Sequence, residues 1–123
     1  MPGSSLLGQR VDGLDLSAEQ LGDNFVVKVA GDLDIVTSPA LDECLKNAQS
    51  QGSRVVLDLS GVDFMDTSAL AVIVGHWKRL EAAGGSLALA GARYRYTKTL
   101  WITGLADRLS LYDSVEAALT AGR

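Results

Sequence analysis

The chain has 123 residues, 47% of them apolar and 21% charged, which suits one compact domain with a single core and argues against disorder. A net charge of −4 lacks the basic footprint that neutralises phosphates, so nucleic-acid binding is set aside. One cysteine, Cys44, and one histidine, His76, exclude an internal disulfide and a Cys/His metal cluster.

Residues 1–10 are rich in Gly and Ser and read as a flexible arm, leaving 11–123 as the folded domain. Met1 to Arg10 lacks the charged-then-apolar pattern of a secretory signal, and no apolar stretch approaches the ~20 residues that span a bilayer. A cytoplasmic protein with no direct membrane insertion is expected. Val11, Leu14 and Leu16 mark a weak first strand, and Gly22-Asp23-Asn24 a turn. Phe25 to Ala30 is β-branched and reads as a strong strand, broken at Gly31-Asp32-Leu33-Asp34. Thr37 or Ser38 offers an N-cap with Pro39 at the first helical position. Leu41, Cys44, Leu45 and Ala48 then recur at helical spacing until Gln51-Gly52-Ser53, which makes Cys44 a core residue.

Val55 to Leu59 is a nearly continuous apolar run, the mark of a central strand covered on both faces. Gly61 to Met65 reads as a connection whose Phe64 and Met65 tuck under a helix beginning at Asp66. Leu70, Ile73, Trp77 and Leu80 form that helix's core stripe, and Gly84-Gly85 stop it. Leu87 to Ala90 predicts a short strand and Tyr94 to Thr103 a helix ended by Gly104. Leu109, Leu111 and Tyr112 predict an edge strand, and Asp113 or Ser114 caps a last helix through Val115, Ala118 and Leu119. The order β-β-α-β-α-β-α-β-α predicts an α/β fold: a mixed sheet of four to five strands with helices packed against it.

In open α/β folds, sites collect in loops past the carboxyl ends of strands. Here that loop delivers Asp66, Thr67 and Ser68 to a helix N-terminus. Asp66 can cap free N–H groups, while the first turn favours an anion. A phosphate on a hydroxyl there adds roughly −1.5 to −2 charges, beside Asp66 and in reach of Asp34 if that loop is near. Asp-Thr-Ser is also an ordinary capping sequence, and the local pattern leaves both readings open.

The surrounding residues carry a resemblance. Gly31-Asp32-Leu33-Asp34 followed by Thr37-Ser38-Pro39-Ala40-Leu41 resembles the Gly-Glu-Leu-Asp segment and following helix of STAS-domain anti-sigma-factor antagonists. Val55 to Leu70 is similar to the family signature, a strand and loop leading into Asp-Ser-Ser/Thr-Gly-Leu. Thr103-Gly104-Leu105 and Asp113 to Leu119 resemble its C-terminal pattern, so the likeness covers most of the chain. It implies a single STAS-like domain that is not an enzyme and needs no cofactor. It also implies partner switching: the unmodified antagonist binds an anti-sigma factor that is itself a serine/threonine kinase. Phosphorylation of the hydroxyl after the aspartate ends that binding, and a phosphatase restores it. By position the acceptor is Thr67, with Ser68 as alternate. Three departures stand out: threonine replaces the usual serine, Ala69 the usual glycine, and Gly91 to Tyr96 lacks the proline often found before the third helix.

The expected partner-binding set is Asp34, Asp66, Thr67, Ser68, Ala69, Val72 and His76. Asp34 reads equally as a partner contact or an Asx turn. Val72, His76 and Arg79 are expected opposite the core stripe, as a partner surface or a solvated face; His76 has no companion for a metal. Trp77 reads as core, and Trp101 as core or as an exposed contact. Arg93, Tyr94, Arg95, Tyr96 and Lys98 could stack on nucleotides or simply begin a solvated helix. No GxxxxGK[ST] loop and no Ser-His-Asp set is present. An alternative keeps the fold as a scaffold, or as a subunit of a stressosome-like or membrane transport complex. An exposed edge strand leaves monomer and weak dimer both open.

Overall fold

Two tight hairpins start the sheet. The computed structural model describes residues 7–102, 104 and 109–121. Strand β1 (Leu7–Val11) turns at Asp12-Gly13 into β2 (Leu14–Leu21), and both turn residues have positive φ (51° and 85°). That is the type I′ geometry an Asp-Gly pair favours, because its twist matches that of the flanking strands. Gly22, with φ 62°, opens the next two-residue turn into β3 (Asn24–Leu33). There follow α1 (Ser38–Gln51), β4 (Arg54–Met65), α2 (Thr67–Ala82), β5 (Ser86–Ala90), α3 (Tyr94–Ile102), β6 (Ser110–Tyr112) and α4 (Val115–Ala121).

The sheet has six strands in the order β1-β2-β3-β4-β5-β6. The first three pair antiparallel; β3–β4, β4–β5 and β5–β6 are parallel, each crossover made through a helix. The mixed α/β class is as expected, but the sheet is one strand richer. Val11, Leu14 and Leu16 look like one strand, yet the Asp12-Gly13 turn divides them. Residues 7–10, read as arm, thereby belong to β1, and the fold starts β-β-β-α. The rest of the expected arm, residues 1–6, lies outside the described residues, as do Thr103, Leu105 and the Trp101 side chain.

Strand β4 also runs further than its apolar run suggests. Its residues 61–65, expected as a connection, stay paired with β3 through two register shifts, ending at Leu33↔Met65. Gly61 makes this extension possible. A Cβ there would lie 2.9 Å from the Ala30 Cβ and 3.1 Å from the Val29 oxygen.

Alternation along β4 fills both sides of the sheet. Val55, Leu57 and Leu59 enter the main core with Leu16, Val27, Val29 and the stripes of α1 and α2. Val56 points the other way, joining Val26, Ala90 and Ala118 of α4. Leu70, Ile73, Trp77 and Leu80 are buried as the helical spacing predicts.

His76 is a correction. Expected on the outward face of α2, it has no exposed surface. Both the sheet and α1 pack on α2, so its buried arc is wider than one stripe and takes in Ala69, Ile73, His76 and Leu80. Val72 is half-buried against the core, and of the expected outward trio only Arg79 is exposed. The His76 ring bridges to α1: Nε2 meets Asp42 Oδ1 at 2.7 Å, and Nδ1 faces the Gln49 side-chain amide. Asp42 also pairs with Lys46 at 3.2 Å.

Burial pushes the His76 pKa down, outweighing the pull of Asp42, and the Arg79 and Lys46 charges act in the same downward direction. The hydrogen bond from His76 holds the Asp42 carboxyl below its usual value. A histidine whose folded pKa lies below its unfolded value binds protons more readily when unfolded. Stability is therefore full above the unfolded pKa of about 6.5 and falls as pH drops below it. Thermal melts should show Tm falling between about pH 7 and pH 5, and His76→Phe should flatten that slope. An equal slope in both proteins would contradict the assignment.

Candidate functional site

Because β3 and β4 run parallel and end together, the loops leading into α1 and α2 emerge side by side. The Asp66 N–H donates to the Leu33 oxygen at 3.0 Å, closing this end of the ladder. Asp66 is extended (φ −106°, ψ −178°) and caps α2. Its Oδ1 accepts from the Ser68 N–H at 2.9 Å, the Ala69 N–H at 3.3 Å and the Ser68 hydroxyl at 2.5 Å. The Ser68 hydroxyl above all, then the N–H groups of Ala69, Ser68 and Ile35, hold the Asp66 carboxyl below the usual carboxylate range. Asp66 thus satisfies donors at its own helix start, and its backbone N–H ties that start to the end of β3.

The hydroxyls of this end differ in occupation. A hydroxyl has one proton to give. Ser68 gives its proton to Asp66, and Ser38 gives its own to the Asp34 oxygen at 2.6 Å; the two oxygens lie 3.1 Å apart. Thr37 donates to the Asp32 oxygen at 2.9 Å and accepts from the Asp34 N–H at 2.9 Å. Ser38 and Thr37 are buried and Ser68 half-buried. Thr67 is exposed, and among the described residues its hydroxyl has no hydrogen-bond partner. It stands at the first position of α2, where free N–H groups and the helix dipole favour an anion.

Asp34 forms an Asx turn: its Oδ1 accepts from the N–H groups of Val36 at 2.9 Å and Thr37 at 3.0 Å. That turn lifts Ile35 and Val36 into solvent, 75% and 61% exposed. Ala69, expected among the partner contacts, is fully buried, so a partner cannot touch its side chain directly. It faces inward because the first turn of α2 already rests on the core.

Phe64 is a further correction. Met65 tucks inward as expected, but Phe64 is 47% exposed. Across Gly31/Asp32, β4 advances from Val62 to Phe64 while β3 advances one residue, so Asp63 is an extra, bulged residue. The bulge rephases the alternation, sending Met65 in and Phe64 out. Phe64 meets the Tyr96 ring edge-on at 6.3 Å, and the Tyr96 hydroxyl donates to the Asp63 oxygen at 2.5 Å. Arg95 lies over the Tyr96 ring at 4.9 Å. The basic-aromatic start of α3 therefore braces the β4–α2 loop. Sequence reasoning missed Ile35, Val36 and Ser38. The available signal was an Ile-Val pair between strand and helix, where no periodicity assigns it to a core.

Among the described residues no group of three or more His, Cys, Asp or Glu could hold a metal ion, and no helix is long and apolar enough to cross a membrane.

A family model described as the STAS domain matches residues 15–118. An anti-sigma-B factor antagonist of Bacillus subtilis (strain 168) is 32% identical over 106 residues, covering 86% of this chain and 97% of that protein. A solved anti-sigma factor antagonist from Mycobacterium paratuberculosis superposes with a TM-score of 0.79 at 24% identity, covering 92% and 97% of the two chains. The Bacillus cell fate determinant SpoIIAA, solved in its phosphorylated form, superposes with a TM-score of 0.69 at 19% identity, covering 97% and 100%. At those identities the two structures show a shared fold.

The two adjacent residues should separate in a stability assay. Asp66→Ala should lower the unfolding free energy in urea by about 1–2 kcal/mol, the usual cost of losing a cap. Thr67→Ala should stay within about 0.5 kcal/mol of the parent. Equal losses would show that the Thr67 hydroxyl is not free.

Proposed function

The chain belongs to the STAS-domain family of anti-sigma-factor antagonists, and from that premise we propose a partner switch centred on Thr67. Unmodified, the protein binds an anti-sigma factor through the end of the sheet that carries Asp34, Asp66, Thr67 and Ser68, and so frees a sigma factor for transcription. The anti-sigma factor, acting as a serine/threonine kinase, modifies Thr67 and loses its grip; a phosphatase resets the switch. The domain works as a binding module in the cytoplasm, as a monomer or weak dimer.

The single observation that carries this reading is the free, exposed Thr67 hydroxyl among neighbours whose protons are committed. Thr67 Oγ attacks the γ-phosphorus of ATP, ADP leaves, and the hydroxyl proton passes to a base on the kinase. The product phosphate sits at a helix start that tolerates an anion, so the domain stays folded. It also places roughly −1.5 to −2 charges beside the Asp66 carboxylate, on the surface a partner must desolvate. Threonine is stiffer than serine at χ1, which favours slow, selective transfer.

The test combines ATP, the anti-sigma kinases encoded in the same genome, and mass spectrometry of the modified chain. Phosphate is expected on Thr67, with Thr67→Ala binding constitutively and Thr67→Glu binding at least about tenfold more weakly. Phosphate on Ser68 alone, or Thr67→Glu binding as tightly as the parent, overturns the assignment.

A further inference from the structure

Exposed apolar side chains are concentrated at one end of this molecule. Among the described residues five large hydrophobics are exposed, and four of them, Ile35, Val36, Phe64 and Tyr94, sit where β3, β4 and β5 finish. Those strands are parallel, so the four share the sheet edge from which Thr67 emerges. The fifth, Leu21, stands at the far end, in the β2–β3 hairpin.

Ile35, Val36 and Phe64 are each held in solvent by a specific device. The Asp34 Asx turn, closed by the Val36 and Thr37 N–H groups, fixes Ile35 and Val36 between strand and helix. The Asp63 bulge turns Phe64 outward, and Tyr96 supports its ring. Folding gains nothing from apolar groups displayed this way. Binding does, because a fixed apolar group loses little conformational entropy when a partner covers it.

We propose that Ile35, Val36 and Phe64 form a preformed apolar collar beside Thr67, and that it docks into an apolar socket on the kinase that modifies Thr67. This rests on the partner-switch reading and adds a division of roles: the collar supplies affinity, and the Thr67 hydroxyl supplies release. The kinase is the occupant because the collar and the acceptor share one hydrogen-bonded unit. The Asp66 N–H is bonded to the Leu33 oxygen and Ser68 meets Ser38, so the loop that carries Ile35 and Val36 lies against the start of α2, and a partner that reaches the Thr67 hydroxyl covers the collar. The same arrangement explains why one phosphate suffices. A dianion beside an apolar socket has lost water and gained no counter-charge.

The experiment uses the full chain with the purified anti-sigma kinase that binds it. Ile35→Ser and Val36→Ser replace exposed side chains and should keep the parent's circular dichroism and melting curve; Phe64→Ser, which also loses the Tyr96 edge contact, should keep the circular dichroism with a small fall in Tm. Leu21→Ser makes the same change at the far end. Each collar variant should weaken binding by about tenfold or more, as for interface anchors. Each should also raise KM for Thr67 phosphorylation by a similar factor with kcat within about twofold, the pattern of lost uniform binding. Leu21→Ser should match the parent in every readout.

Collar variants that bind within about twofold of the parent, while Thr67→Glu still releases, overturn the collar and leave the switch standing. A fall in kcat at unchanged KM makes these residues positioning groups and overturns docking. Self-association of the parent that Ile35→Ser abolishes reassigns the surface to a second copy. A parent that binds none of the kinases in its genome removes the switch and the collar together.

Discussion

The parallel pairing of β3 with β4 is the constraint on which everything else in this protein rests. It runs from Asn24↔Arg54 to Leu33↔Met65, spanning both strands. Parallel neighbours need a crossover, and α1 supplies it. Because the pairing persists to the ends of both strands, two loops and two helix starts are delivered to the same spot. Their contacts follow: Asp66 to Leu33, and Ser38 to Ser68. Gly61 is the steric condition for this, since any side chain there would push β3 and β4 apart.

The site shows how one functional group takes different roles within a few ångströms. Thr37, Ser38 and Ser68 have their protons drawn into the structure, joining loop to helix start. Thr67, between the Asp66 cap and Ser68, is exposed at the first position of α2 and is left over. Among the described residues, Thr67 is thus the hydroxyl of this end that the fold does not use. The neighbouring aspartates divide in the same way: Asp34 shapes its own turn, and Asp66 serves a helix and the loop beside it.

Most of the fold was legible in local pattern. The α1 and α2 stripes, the two-sided run from Val55 to Leu59, and Asp66 as a cap all follow from spacing and capping chemistry. Most of the differences come from contacts that spacing does not encode; the exception is the first turn. The Asp12-Gly13 turn was readable, but the apolar residues on both sides of it mimic one strand. The Asp63 bulge, which turns Phe64 outward, depends on the register of β4 against β3. His76 is buried because α1 lies along α2, a fact about residues 27 and 34 positions earlier in the chain. The Ser38–Ser68 contact has the same origin. Thr67 was identified by order and likeness; that its hydroxyl is the free one required the geometry.

The strand order bears on synthesis as well as on architecture. Every strand pairs with its neighbours along the chain, so a sheet emerging from the ribosome can grow at one edge without waiting for a later strand to insert. The two hairpins close over short loops, and the first long closure is the one that brings β4 to β3. Leu33, Asp34, Ser38, Asp66 and Ser68 have all been made by the first turn of α2. The residues that make these contacts are therefore all synthesised before the last third of the polypeptide, and of the later elements α3 adds one more polar contact at this end, from the Tyr96 hydroxyl to the Asp63 oxygen.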